Sequence, residues 1–290
     1  MDYIEEIYWL WIAQMKNIYY EAFELLMRKY KKISNLWNVG HDNYIRDNNI
    51  NPRICKELCS KYYKEKLHEY HRAMKVNNIK MVTCLDNNYP AKLHLIKNKP
   101  IVLFYKGDIN VLNNESVAIV GSRNCTDYGR KCADFFSYEL AKRNVNIVSG
   151  LAIGIDSVAH IATLRCGGKT VAVIGNGLDN VYPKQNKVLA DKIIENGGLI
   201  MSEFITGTPP EKNNFPRRNR IISGISNAVI VVEANHKSGS LITANFAINQ
   251  GKEVWAIPGS IYSKSSCGTN QLIKDGANVL TNLSDIIRNI

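Results

Sequence analysis

Long apolar runs are missing from this chain. The run Tyr8 to Met15 is short and interrupted by Gln14, and the opening Met1-Asp-Tyr-Ile-Glu-Glu is acidic. Neither a membrane span nor a signal peptide is therefore expected, and no membrane partner. Cysteine is sparse and odd in number, seven in 290 residues. Spread through expected strands and helices, these residues read as reduced thiols of a cytoplasmic protein, not as a disulfide framework. The one grouping that suggests a metal is Cys55 and Cys59 with His68 and His71 on a single expected helix. At ~100° per residue the two pairs point to roughly opposite faces, so zinc is rejected. Catalytic signatures are missing as well. No Gly-x-Ser-x-Gly elbow occurs, and His160 and His236 have no partner nucleophile near them in sequence. Gly175-x-Gly177 lacks the third glycine of a dinucleotide fingerprint because position 180 is Asn. Gly168-Lys169-Thr170 resembles the end of a phosphate loop, but position 163 is Thr and the segment enters a strand. No catalytic residue, cofactor or metal is expected.

What is present divides the chain in two. Residues 1–75 show helical spacing: Ile7, Leu10, Trp11 and Met15 form one apolar face, and Phe23, Leu25, Leu26 and Tyr30 another. Asn51-Pro52 opens a further helix expected to reach about Val76, giving a small module of four or five helices. Residues 79–290 change period. Short apolar runs at Ile79–Cys84, Ile101–Tyr105, Val117–Val120, Asn146–Val148, Thr170–Ile174, Leu199–Ser202, Ala228–Val232, Glu253–Ile257 and Asn278–Leu280 read as strands, most covered on both faces. Helical stretches alternate with them, among them Gly129–Arg143, Ile155–Cys166, Pro183–Asn196, Arg217–Gly224, Ser240–Gln250, Asn270–Asp275 and Leu283–Asn289. The alternation predicts an α/β fold, a doubly wound and mostly parallel sheet preceded by a small all-helical domain.

On such a sheet ligands bind outside the carboxyl ends of the strands. Four turns fall there: Gly121-Ser122-Arg123, Ser149-Gly150 leading to Gly154-Ile155-Asp156, Gly175 to Asp179 followed by Tyr182-Pro183-Lys184, and Lys237-Ser238-Gly239-Ser240 running on to Thr243. Glycine permits close approach, and hydroxyls and free amides at helix starts suit an anion. For one turn alone, helix capping is the default reading; four on one edge favour a ligand. The net charge of +11 points the same way, toward a polyanion. Phe215-Pro216-Arg217-Arg218-Asn219-Arg220 crowds three arginines into the first turn of a helix, where the dipole disfavours cations. Arg217 and Arg220 lie near each other on the helix and Arg218 points ~100° away, so the expectation is a split between salt bridge and ligand.

Taken together, Val-Gly-Ser-Arg with Thr-Asp-Tyr-Gly, Ser-Gly-Leu-Ala-x-Gly-Ile-Asp, Gly-x-Gly-Leu-Asp-x-x-Tyr-Pro, Phe-Pro-x-Arg-Asn-Arg-Ile-Ile-Ser-Gly, Ser-Gly-Ser-Leu-Ile-Thr-Ala and Gly-Thr-Asn-x-Leu-Ile resemble the DNA-processing protein A (DprA, or Smf) family over roughly Ile79 to Ile290. The resemblance implies an extended Rossmann-like domain that binds single-stranded DNA, homodimerises and delivers the strand to the RecA recombinase in natural transformation, without enzymatic turnover. It implies phosphate contacts by Gly121, Ser122, Arg123, Ser149, Gly150, Lys184, Gly239, Ser240 and Thr243, with Arg217 and Arg218 beside them. The sequence departs from the family's pattern at Ile153, where many relatives carry Arg, and in Met15–Tyr20, which lacks the glycines of the helix–hairpin–helix turn that the module often carries. The amino-terminal part therefore reads as SAM-like or a degenerate hairpin module, and no carboxyl-terminal winged helix is expected. A rival reading, a nucleotide-binding enzyme similar to phosphoribohydrolases, needs a glutamate where this chain has Leu272.

Overall fold

The structure is a computed structural model that describes residues 2–39, 50–60 and 62–287. Nine strands form one sheet: β1 (Lys80–Thr83), β2 (Val102–Gly107), β3 (Ser116–Val120), β4 (Asn146–Ser149), β5 (Thr170–Val173), β6 (Leu199–Ser202), β7 (Ala228–Val231), β8 (Glu253–Ala256) and β9 (Asn278–Val279). Their spatial order is β1-β2-β6-β5-β4-β3-β7-β8-β9. From β6 to β9 the pairing is parallel, whereas β1 and β2 pair antiparallel with each other and β2 with β6. All nine expected strands are present, shifted by a residue or two at their ends. Continuous apolar runs do this because a strand covered by helices on both faces buries every side chain, as β3, β4, β5, β6 and β7 do.

The chain leaves β3 toward β4, β5 and β6 on one side, then returns to place β7 against the other side of β3. The strand order thus reverses between β3 and β7, and a crevice opens there at the carboxyl edge. The four glycine turns follow β3, β4, β5 and β7, which are adjacent in the sheet, so all four emerge on that edge. The expected helices also appear, at Asp127–Ala141, Ile155–Arg165, Lys187–Glu195, Asn214–Gly224, Gly239–Asn249, Cys267–Lys274 and Leu283–Ile287. The last two positions expected for the Leu283–Asn289 helix lie outside the described residues.

The amino-terminal part is helical, with six helices among the described residues where four or five were expected: Tyr3–Ala13, Tyr20–Tyr30, Ile33–Asn38, Pro52–Leu58, Tyr62–Glu65 and Leu67–Val76. The expected long helix from Pro52 is thus broken into three. Leu58 and Leu67 are each 1% exposed; nine residues apart on one straight helix they would sit ~180° apart, and the break lets both reach the core. Leu25 is corrected too, since it is 60% exposed while Phe23 and Leu26 are buried. It stands ~200° from Phe23 around the helix. The cysteine and histidine pairs fall on different helices, and the histidines are engaged elsewhere: His68 Nδ1 meets the Tyr3 hydroxyl at 2.5 Å and His71 Nε2 the Glu6 carboxylate at 2.6 Å. All seven cysteines are free thiols. One continuous apolar core joins these helices to the sheet, running from Trp9, Leu10 and Trp11 through Leu36 and Leu93 to Val171 and Met201. Among the described residues no helix is long and apolar enough to cross a membrane.

Candidate nucleic-acid interface

A cleft of ≈ 430 Å³ opens at the carboxyl edge where β3 and β7 part. Its walls are the turn after β3 (Gly121 to Asn124), Ala152 and Asp156 from the turn after β4, the Asn214–Gly224 helix, and the segment from Asn235 to Thr243. The helix contributes Phe215, Arg218, Asn219 and Ile222, positions i, i+3, i+4 and i+7 that share one helical face. The opposite face carries Arg217 and Arg220, which both grip the buried carboxylate of Glu203. The three arginines thus divide as the helical spacing predicts.

Arg218 is buried, and its guanidinium donates to the carbonyls of Gly150 and Val173 and through Nε to Asn219 Oδ1 at 3.1 Å. Asp156, also buried, faces it and accepts from the Gly150 and Ala152 amides at 3.1 and 3.3 Å. Gly150 makes this possible, because a Cβ there would lie 2.7 Å from both guanidinium nitrogens of Arg218 and from Asp156 Oδ2. Burial pulls Arg218 down to about 10, Asp156 counters that, and the nearby Arg123 pulls further in the same direction. Burial likewise raises the Asp156 carboxyl, although Arg218 and the two amides oppose the rise.

Arg123 is exposed on the other side, with its guanidinium 5.5 Å from the centre of the Phe215 ring; that of Arg218 lies 6.0 Å from the same ring. Among the described residues, two cations and one carboxylate are the charged groups lining the cleft. Two like charges converging on one open space leave a place that an anion stabilises. Around them are the Ser122 hydroxyl, the exposed Gly239 backbone, and Ser240 and Thr243 in the first turn of the Gly239–Asn249 helix. Ser238 caps that helix: its hydroxyl accepts from the Ser240 amide and bonds Ser240 Oγ at 2.8 Å. The helix start lines the cleft with the Gly239 backbone and the Ser240 and Thr243 side chains, while Ser238 takes the Ser240 and Leu241 amides.

The first two turns are welded together. Gly154 has φ +83° and its Cα lies against the Ser122 and Arg123 carbonyls, where a Cβ would come within 2.4 and 2.5 Å. The Ile155 amide donates to Ser122 O at 3.2 Å. The third turn supports the cleft from outside. Gly175 packs under the Phe215 ring, Tyr182 meets that ring at 6.0 Å, and Asn186 Nδ2 donates to Leu151 O and Ser157 Oγ.

The expected contact residues are thus not all brought together. Gly121, Ser122, Arg123, Arg218, Gly239, Ser240 and Thr243 line one cleft. Lys184 is exposed but outside the lining, two residues from Tyr182. Ser149 is turned inward, its hydroxyl donating to Ile119 O at 2.6 Å, and Gly150 serves Arg218 and Asp156. Arg217 is placed away from the cleft: Nε bonds Glu203 at 2.8 Å and the guanidinium sits over Tyr19 and Phe204, where the helical part meets the sheet. Glu203 is held below its usual range; burial pushes it up, but Arg220 and Arg217 together outweigh that. Asn124, Asn219 and Asn235 were not expected at the site, and Ser238, part of the fourth turn, lines it as well. Asn219 was findable, lying four residues after Phe215 and next to Arg218 on the same face.

Fold and cleft together define a Rossmann-like α/β protein with an arginine-bearing cleft at its topological switch point. Residues 80–290 match the model of the family described as DNA recombination-mediator protein A, and the chain belongs to that family. The DNA processing protein DprA of Streptococcus pneumoniae is 44% identical over 237 residues, which cover 82% of this chain and 82% of that protein. Protein Smf of Escherichia coli is 46% identical over 202 residues, 70% of this chain but only 54% of its own length. Among solved structures, that of DprA from S. pneumoniae superposes with a TM-score of 0.82 at 38% identity, covering 99% of this chain and 97% of that one. The Helicobacter pylori DNA processing protein A, whose structure is described for its single-stranded DNA binding mode, superposes with a TM-score of 0.66 at 33% identity and covers 73% of this chain and 96% of that one.

Proposed function

We propose that this chain binds single-stranded DNA through the β3–β7 cleft, protects incoming strands, and loads a RecA recombinase onto them, acting as a homodimer in the cytoplasm and making or breaking no covalent bond. The observation that carries the binding step is the convergence of Arg123 and Arg218 on one cleft with Phe215 between them. Guanidinium groups, helix-start hydroxyls and backbone suit successive phosphates, and a half-buried ring at the cleft suits a base face. The single-stranded DNA binding described for the H. pylori relative favours the same assignment. In this reading Gly121, Ser122, Arg123, Arg218, Gly239, Ser240 and Thr243 hold the strand, and Lys184 receives a phosphate at the rim. Ser149, Gly150 and Arg217 hold the frame. In this reading the helices within residues 1–75 are a module that shares its apolar core with the 79–290 domain. Recombinase loading and pairing of two copies extend the reading by family membership.

An enzyme reading lacks its acid–base pair. Asp156 is the single carboxylate of the lining and is committed to two backbone amides and Arg218, and Leu272 stands where a phosphoribohydrolase would need glutamate. The test is competition between single- and double-stranded oligonucleotides for the protein across a salt series. The expected result is preference for the single strand with affinity falling as salt rises. Equal or stronger binding to the duplex would overturn the assignment.

A further inference from the structure

The outer face of the Asp127–Ala141 helix carries a pattern that the cleft does not use. Tyr128, Lys131, Phe135, Tyr138 and the cap residue Lys142 recur at i, i+3, i+7, i+10 and i+14. At ~100° and ~1.5 Å per residue they form a stripe about 80° wide and about 21 Å long, three rings interspersed with two ammonium groups. Tyr128 and Phe135 are 48% and 50% exposed, and both lysines are exposed. A helix buried on one side normally shows charged or polar side chains on the other, so two half-bare rings there need a reason.

The rings are held in place. The Tyr128 hydroxyl donates to Pro258 O at 2.8 Å. Phe135 packs edge-on against the buried Phe136, with centroids 5.2 Å apart. Arg165 lies 5.1 Å from the Tyr138 ring and is fixed there by two 2.9 Å bonds to Asp134. Two flanking carboxylates are occupied, Asp134 by Arg165 and Glu139 by Arg143 at 2.6 Å, and Asp127 stands in the first turn four residues before Lys131. Lys131 and Lys142 have no such partner among the described residues, so the stripe's free charge is positive.

We propose that this stripe is a second stretch of the nucleic-acid path, over which a single strand leaving the cleft is laid. The inference rests on the cleft reading. Continuity supports it: the helix opens four residues after Arg123, at the carboxyl edge, and runs back from that edge. Chemistry selects the occupant. Any base offers a π face to a ring, lysines between rings meet the phosphates, and a duplex hides the base faces that Tyr128 and Phe135 would stack on.

The test compares binding of a strand of about 6 deoxythymidines, within the ~4–16 nucleotides one surface occupies, and one of about 30, well beyond them. Fluorescence anisotropy is read for the full chain and for Phe135→Ser and Lys131→Glu/Lys142→Glu, with thermal unfolding and light scattering in parallel. The lysine variant keeps the test intact if Phe135→Ser folds poorly. Both variants are expected to bind the long strand about tenfold more weakly and the short strand as before. Loss of affinity equal at both lengths, or at neither, overturns the second stretch while the cleft reading stands. A change from dimer to monomer in either variant also overturns it, by making the stripe a contact between copies. If the unmodified protein binds neither strand, the cleft reading itself fails.

Discussion

Removing Arg218 separates its structural work from its electrostatic work. In Arg218→Ala the buried Asp156 carboxylate keeps its two amide donors but loses its cation, and the Gly150 and Val173 carbonyls lose theirs. Breaking a buried pair from one side costs about 3–5 kcal/mol, because the remaining charge stays desolvated. Arg123 is exposed and pairs with no carboxylate among the described residues, so Arg123→Ala is expected to stay within about 0.5 kcal/mol of the parent. The double variant Arg218→Ala/Asp156→Asn removes the stranded charge and should recover part of the loss, a coupling of about 0.5–3 kcal/mol. Urea unfolding followed by tryptophan fluorescence measures all four proteins. If Arg218→Ala unfolds within about 0.5 kcal/mol of the parent, or the second substitution deepens the loss, the buried-pair reasoning is refuted.

His160 gives the protein an acid sensitivity. Burial, with a smaller push from Arg218, holds it down at about 3, so it is neutral in the folded protein. Its unfolded value is 6.5, so the unfolded chain takes up the proton first; the stability is present above pH 6.5 and is lost as pH falls. Between pH 7 and pH 5 the loss is about 2 kcal/mol at ~1.36 kcal/mol per pH step below the unfolded value. Unfolding free energies at the two pH values should show it, and His160→Asn, which keeps a partner for Thr170, should remove that share; an unchanged slope would count against the assignment. Gly154→Ala is expected to lose about 1–3 kcal/mol and to weaken single-strand binding together, since the new methyl group drives the Ser122–Arg123 turn outward. Thermal unfolding and anisotropy check this, and a variant that matches the parent in both would show that the two turns are not braced at Gly154.

Much of this was legible in the sequence, and what was not has physical causes. β3 to β7 announced themselves because strands buried on both faces must be apolar at every position. The division of the three arginines followed from helical angle alone, since Arg217 and Arg220 reach Glu203 while Arg218 turns to the cleft. Sequence could place four turns on one edge but could not tell which side chains turn inward. Ser149 reads like a ligand hydroxyl, yet its neighbour β3 offers the Ile119 carbonyl and takes it. Lys184 falls outside the lining because the third turn supports Phe215 from beneath. The break between Leu58 and Leu67 was hidden because no proline or glycine marks it; burying both leucines dictates it, and that is a tertiary demand.

The most direct test of the cleft is the salt dependence of single-strand affinity for the parent protein and for Arg123→Ala. Each phosphate neutralised adds about 0.7 to the slope of log K against log salt for a single strand. Loss of the Arg123 contact is expected to reduce that slope by about 0.7 while leaving thermal stability unchanged. Identical slopes for the two proteins would contradict the claim that Arg123 and its neighbours in the cleft grip the phosphates of DNA.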